Sequence, residues 1–286
     1  MGDDNVMIGK KIDKSVTIGE DVIIGKNVII MAGCIIGNHV TISDGVYIDF
    51  HTIIRDYVVI GQNSYIGANC ILGEYTADFF ISYQKTKSFL SIGENALIRS
   101  GSVLYSGSEF GRGFQTGHHV TIRENTRIGN FVSVGTLSDI QGNCVVGDYV
   151  RMHSNVHVGQ KSKIESFVWI FPYVVLTNDP TPPSEELEGV MLKSFAVIAT
   201  GSILLPGIVV EEDTLVAAGT VVTKNVHTGE VVAGNPSKVI SDIRRIKNRT
   251  TGLEVYPWRY SFKRGMPWEE SDYQTWYEEI SKELGI

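Results

Sequence analysis

Several things are scarce in this chain of 286 residues, and each scarcity closes off a class of protein. There are three cysteines, Cys34, Cys70 and Cys144, and no CxxC pair, so neither a disulfide framework nor a thiolate metal cluster is expected. No run of five basic residues occurs, and a formal net charge of -7 argues against holding nucleic acid by neutralising its phosphates. A local basic pocket for a small anion is still compatible with that charge. The opening MGDDNVMIGKK lacks the apolar stretch of a secretory signal or a membrane span, and Val6 stands where a myristoylation signal needs Ser or Thr. A cytoplasmic location is the expectation.

What the chain has in abundance is a period of six. From Ile12 every sixth residue is aliphatic, through Ile18, Ile24, Ile30, Ile36, Ile42, Ile48, Ile54, Ile60 and Ile66 to Leu72. The step resumes from Ile92 to Leu176, departing at Phe110, Thr116 and Met152, and again from Leu192 to Val222. Four residues after an anchor a small residue is the rule, as at Val22, Cys34, Ser64, Cys70, Thr126, Cys144, Val168 and Thr220, with Phe114 and Ile208 as exceptions. Six matches neither the helix period nor that of a simple strand. Three hexads of short strand plus turn do close a triangular coil, with the anchors filling its interior and the small residues its bends. The cysteines all occupy the small slot and read as space-filling thiols.

This pattern, over roughly residues 8 to 240, resembles the left-handed parallel β-helix of the hexapeptide-repeat acyltransferases. Handedness is what the resemblance implies, against the usual right-handed crossover rule. The expected fold is all-β, about ten coils of three hexapeptides over residues 1–238, with surface loops at 73–91 and 177–191. A short helical extension is expected over 239–286. Val239, Ile240, Ile243 and Ile246 have helical spacing there, and a second helix is expected near 270–284 through Tyr273, Trp276, Ile280 and Leu284. Between them YPWRYSFKRGMPWEE reads as a segment that caps the last coil or packs on a neighbour, with stacking on a nucleobase as the alternative.

Residues 18 apart stack in columns. One reads Gly117, Gly135, His153, Phe171 and, across the second loop, Ala199 and Ala217; its small residues are expected to leave backbone amides open to a ligand. A corner column holds His118, and another holds Glu124, Gly142, Gln160 and Asn178. The segment VVAGNPSKVI looks like the one with which many of these acyltransferases leave the helix beside coenzyme A. That likeness implies Ala199, Ala217 and Gly234 along the pantetheine arm and Lys238 on a phosphate.

Two chemical centres suggest themselves. GHHVTI resembles the NHxCxI segment of sialic-acid and bacillosamine-type sugar acetyltransferases, which implies His118 as catalytic base with His119 beside it. Gly117 replaces the Asn of that segment and His119 its acid, so Glu124, at nearly the same height in a parallel trimer, is the candidate partner. LTNDP resembles the TND loop of nucleotide-linked amino-sugar N-acetyltransferases, which implies Asn178 and Asp179 at the amine, with Gln160 where those enzymes carry a glutamate. The two centres are too far apart in height to serve one amine in one chain.

The pair His153 and His157 invites a zinc reading, because γ-class carbonic anhydrases use histidine ligands on this fold. Successive residues of a coil point to different sides, however, and no metal is expected. The expected activity is transfer of an acyl group, acetyl in the first instance, from acyl-coenzyme A to the amine of a dTDP- or UDP-linked deoxyamino sugar for surface glycan synthesis. An O-acyltransferase or a longer-chain acyltransferase is the alternative within the class. A non-enzymatic scaffold like the ice-binding β-helices is the alternative outside it, and the Thr-x-Thr ranks it needs are absent. Tyr75, Phe79, Phe80, Tyr83, Lys85 and Lys87 of the first loop are candidates for base and pyrophosphate, and a homotrimer is implied by the family.

Overall fold

The computed structural model describes residues 11–83 and 87–284. Strands mostly two residues long recur with the hexad, and each pairs in parallel with the strand one coil later: Lys11 with Ile29, Ile29 with Tyr47, Tyr47 with Tyr65. The result is the left-handed parallel β-helix that the resemblance implies, with three sheets of 13, 11 and 10 strands. The first face begins at Lys11–Ile12, the second at Thr17–Ile18 and the third at Ile23–Ile24. The second face alone has 11 strands, so the prism is somewhat longer than the ten coils expected from the hexads.

The core is the column of anchors. Ile30 through Leu72 and their successors are closed to solvent, whereas Ile18, in the first coil with no described strand stacked beneath it, is 41% exposed. The exceptional Phe114 fits because Phe110 stacks on it at 4.8 Å and the next anchor shrinks to Thr116. The small slot has a polar purpose as well as a steric one. Its side chains donate to a carbonyl at the bend of the next coil: Cys34 Sγ to Asp49 O (3.1 Å), Thr52 Oγ1 to Gly67 O (2.8 Å), Ser108 Oγ to Arg123 O (3.1 Å) and Ser138 Oγ to His153 O (3.1 Å). Buried carbonyls at a bend need such donors. Burial pushes the Cys70 and Cys144 thiols up to about 11, so they stay protonated.

Both loops leave the prism at its second corner, between the second and third faces. The first contains the short helix α1 (Ala77–Ser82), and Lys85 lies outside the described residues. At the far end the helix expected through Val239 and Ile240 is not formed. Lys238–Asp242 is a strand, antiparallel to Glu230–Ala233, and only a 3-10 turn at Ile243–Arg245 follows. The open edge of the first face offers unpaired backbone groups, and pairing with them outweighs the helical spacing. The second expected helix is present as α2 (Tyr273–Leu284), with Asp272 accepting from the Thr275 N–H at 2.9 Å.

Residues 255–276 form a strap that folds back over the third corner, between the third and first faces. Phe131, Tyr149, Phe167 and Phe195 stack there coil upon coil at 5.0, 5.4 and 5.0 Å. Trp258 and Trp268 of the strap lie against this ladder, the first donating from its indole nitrogen to Phe195 O at 3.1 Å. Arg259 binds both oxygens of Asp213, at 2.6 and 2.7 Å, and Arg151 donates to Gly265 O at 2.8 Å.

Candidate functional site

Two corners and the face between them bring imidazole, carboxylate and carboxamide groups together. The first corner, between the first and second faces, presents Gly117-His118-His119, Gly135-Thr136-Leu137, His153-Ser154-Asn155 and Phe171-Pro172-Tyr173 in successive coils. The second presents Arg123-Glu124, Gln141-Gly142, Gly159-Gln160 and Thr177-Asn178. On the face between them Thr121, Asp139, His157 and Val175 point outward, paired in register.

His118 is exposed, its backbone N–H donating to Thr136 Oγ1 at 3.2 Å, and its imidazole has no partner among the described residues. His119 occupies the left-handed seat of the bend, at φ 54°, with its ring over Gly101 of the preceding coil. His51 sits over Gly33 in the same way, at φ 57°, so His119 has a packing role that recurs elsewhere in the coil. A Cβ at Gly117 or Gly135 would run into the backbone of the next coil. Their N–H groups donate to Val134 O (2.7 Å) and Met152 O (2.8 Å). These glycines therefore answer to coil stacking, and the open amides expected from them are already engaged.

Glu124 is held by Arg123, whose Nη2 and Nε lie 2.9 and 3.1 Å from its carboxylate oxygens. It is thus neutralised within its own chain. His153 stacks on Phe171 at 4.7 Å, and burial draws its pKa down. Ala199 and Ala217 continue that column and are half-buried; Gly234, at φ 99°, and Lys238 are exposed in the closing hairpin.

The pair that column reading overlooked is Asp139 and His157. Each is the residue before its anchor, a position in every hexad that faces outward, and one coil separates them. Asp139 Oδ2 lies 3.2 Å from His157 Nδ1 and accepts a hydrogen bond from Gln141 Nε2 at 2.7 Å. Burial opposes the ionised carboxyl, but the hydrogen bonds from His157 and Gln141 and the charge of Arg123 outweigh it and hold its pKa below the usual value. With Nδ1 turned to the carboxylate, Nε2 is the ring nitrogen left for chemistry. The signal was legible in the sequence as an Asp and a His 18 residues apart in the strand column.

Asn178 and Gln160 stack one above the other at the second corner, with Asn178 against Gly159. Asp179 takes a different part. Its oxygens accept from Ser184 Oγ (2.7 Å), Ser184 N–H (3.0 Å) and Thr181 N–H (3.1 Å), and the Ser184 hydroxyl is the chief cause of its lowered pKa. That carboxylate ties the second loop into a turn. His118 and Asn178 stand on different corners, three strand spacings apart along the second face, about 14 Å.

In the first loop Tyr75 stacks on Phe79 at 4.0 Å and lies under Arg55 at 4.5 Å, while Lys87 lies over Tyr57 at 5.5 Å; Tyr83, 78% exposed, ends α1. Among the described residues no group of three or more His, Cys, Asp or Glu side chains is disposed to hold a metal ion. No described helix is long and apolar enough to cross a membrane.

Comparison with known proteins agrees with this architecture. Residues 15–50 match the family described as bacterial transferase hexapeptide (six repeats), and residues 57–73 match the hexapeptide repeat of succinyl-transferase. The chain is 34% identical over 111 residues to the mitochondrial gamma carbonic anhydrase 2 of Arabidopsis thaliana, covering 38% of this chain and 35% of that protein. It is 33% identical over 94 residues to a 2,3,4,5-tetrahydropyridine-2,6-dicarboxylate N-acetyltransferase of Staphylococcus aureus, covering 33% and 34%. The chain thus spans about a third of the length of these curated relatives. Among solved structures, LpxA, a UDP-N-acetylglucosamine acyltransferase from Bacteroides fragilis, aligns over 82% of this chain and 72% of its own at 16% identity and a TM-score of 0.37. Repeat, coil geometry and matched segments agree on the fold: the chain winds as a left-handed β-helix of hexapeptide repeats.

Proposed function

We propose that this chain is an acyl-CoA-dependent N-acyltransferase whose acceptor is the amine of a nucleotide-linked deoxyamino sugar, acetyl being the group moved. The observation that carries the reading is the Asp139–His157 pair, an imidazole with a carboxylate from the preceding coil to orient it; His157 shares its coil with Gln160 and is one coil from Asn178. The amine is cationic in water and first releases one proton to solvent, so that its neutral nitrogen can attack the thioester carbonyl. His157 Nε2 accepts the second proton from that nitrogen as the C–N bond forms. The C–S bond then breaks, and the imidazolium returns the proton to the departing thiolate. Asp139 keeps the ring in the productive tautomer and stabilises its charge.

The carboxamides of Gln160 and Asn178 orient the amine and its neighbouring hydroxyls, because a neutral amide donates and accepts hydrogen bonds but takes no proton. Asp179 shapes the loop that presents Asn178. The column from His153 and Phe171 through Ala199 and Ala217 to Lys238 suits a pantetheine arm that ends in a phosphate. A homotrimer is what the resemblance implies; aliphatics are exposed on the second face (Ile35 47%, Ile203 37%) as well as on the third (Ile23 64%, Val145 48%). In a trimer of parallel prisms His118 of one chain would come to nearly the height of Glu124 at the second corner of its neighbour. Glu124 is already paired there, so the base is assigned to His157 and not to His118.

Mass spectrometry of the products from acetyl-CoA and a panel of dTDP- and UDP-linked amino sugars tests the reading. An N-acetylated sugar with stoichiometric release of coenzyme A thiol is expected. Acylation of the matching hydroxyl sugars at an equal rate, or no product from any amine, overturns it.

A further inference from the structure

The strap does more than cover the third corner. Between it and the first face lies a cavity of about 370 Å³ walled by Trp169, Phe171, Val197, Val255, Tyr256, Trp258, Ser261 and Phe262. This volume falls in the range of small-molecule sites. Five of the eight wall residues are aromatic and none is charged, so the cavity selects against a bare anion or cation and in favour of a flat, neutral ring.

Two polar groups in the wall lack partners. The Tyr256 hydroxyl has none among the described residues, and the Trp169 indole nitrogen is closed off from water without an acceptor. Burial also keeps the Tyr256 hydroxyl protonated. A purely alkyl ligand would leave the Tyr256 hydroxyl unsatisfied, whereas a heteroaromatic ring brings ring nitrogens or carbonyls that can meet it; the Trp169 nitrogen, closed to solvent, is out of reach of either.

Charge outside the cavity points the same way. Arg151 is the register neighbour of Trp169 one coil earlier, and Lys263 and Arg264 follow Phe262 and are exposed. The cavity on the other side of the strap carries three carboxylates, Glu165, Glu211 and Glu212, against two cations, Lys193 and Arg259, that are already paired with Glu165 and Asp213. A phosphorylated ligand is therefore drawn to the aromatic side.

We infer that the aromatic cavity beneath the strap is a binding site for the base of a nucleotide, seated among Trp169, Phe171, Trp258 and Phe262 with Tyr256 hydrogen-bonded to its edge. The inference goes beyond the acyl-transfer reading. Only the two sources of a base, the adenine of coenzyme A and the base of the sugar nucleotide, rest on that reading, and the test needs no turnover.

Calorimetric titration of the full chain with adenosine 3′,5′-bisphosphate, dTDP, UDP and GDP, with decanoate as the alkyl control, decides the matter. At least one nucleotide is expected to bind. Val255→Trp, which fills the cavity, should weaken that binding by more than tenfold, and Tyr256→Phe by about fivefold, the loss of one hydrogen bond. Binding of the adenosine probe assigns the cavity to coenzyme A; binding of dTDP, UDP or GDP assigns it to the sugar nucleotide. Unchanged nucleotide affinity in Tyr256→Phe and in Val255→Trp overturns the inference, as does binding of decanoate and of no nucleotide, or of no probe at all. Should Val255→Trp fail to fold, the conservative Tyr256→Phe and Trp169→Phe variants carry the test.

Discussion

The third corner is built twice along the same prism, in two different chemistries. In the N-terminal coils its left-handed seat is taken by Asn27, Gly45, Asn63, Asn95 and Gly113, residue types that tolerate positive φ. In the C-terminal coils the same seat, at the same φ, is taken by Phe131, Tyr149, Phe167 and Phe195. A bulky residue there carries a local cost of about 1–2 kcal/mol, and the compensation lies in the strap. Each ring stacks on the next, and Phe167 also meets Trp268 at 5.2 Å and Trp276 at 5.8 Å. Backbone geometry is thus uniform along the prism, and side chains alone decide which stretch is bare and which is covered.

The comparison can be broken most severely at the pin that holds the strap. Asp213 and Arg259 are 14% and 12% exposed, and Asp213→Ala would leave a nearly buried guanidinium with only the more distant, half-exposed Glu212 carboxylate at 3.5 Å. A loss of about 3–5 kcal/mol is expected, read as a lowered unfolding temperature and early proteolysis after residue 250. Next comes Phe167→Asn, which restores the N-terminal kind of seat. Relief of the strained φ offsets part of the lost packing, leaving about 2–3 kcal/mol of destabilisation in the same thermal scan. The reverse exchange, Asn63→Phe, places a ring where no strap covers it and should cost about 1–2 kcal/mol. Equal effects for the two exchanges would show that the strap does not compensate the aromatic seats.

A smaller effect sharpens the account of the second face. The folded-state pKa of Asp139 is depressed, so its ionised form contributes stability that is fully present above the unfolded carboxyl value of about 3.9. That contribution is lost as pH falls through the lower folded-state value. The difference in unfolding temperature between the parent chain and Asp139→Asn should therefore be present at about pH 5, and should close in more acid solution.

Much of this was legible in the residues, and the rest fails for identifiable reasons. The anchors from Ile12 to Val222 dictate the coil, because a sixfold apolar period has one compact solution. The small slot gave its volume away but not its hydrogen bonds, since a donor 15 residues from its acceptor has no local signature. Val239 and Ile240 misled through spacing alone: the open edge of the first face, a tertiary feature, converted the segment into a strand. At the candidate site the corner columns were visible, and with them His118, Gln160 and Asn178. The Asp139–His157 pair lay in the strand column, where a period of 18 must be read across hexads that otherwise carry Thr, Ile and Val. Asp179 could be read from its motif but not from its geometry, because the turn that occupies its carboxylate depends on Ser184.

The assignment of the base on the second face is settled most directly by steady-state turnover of acetyl-CoA and the accepted amino sugar in His157→Ala and His118→Ala, side by side. The account predicts a fall in kcat of about a hundredfold or more for His157→Ala and a change within about threefold for His118→Ala. A large loss at His118 with near-normal turnover at His157 would contradict it and move the chemistry to the first corner.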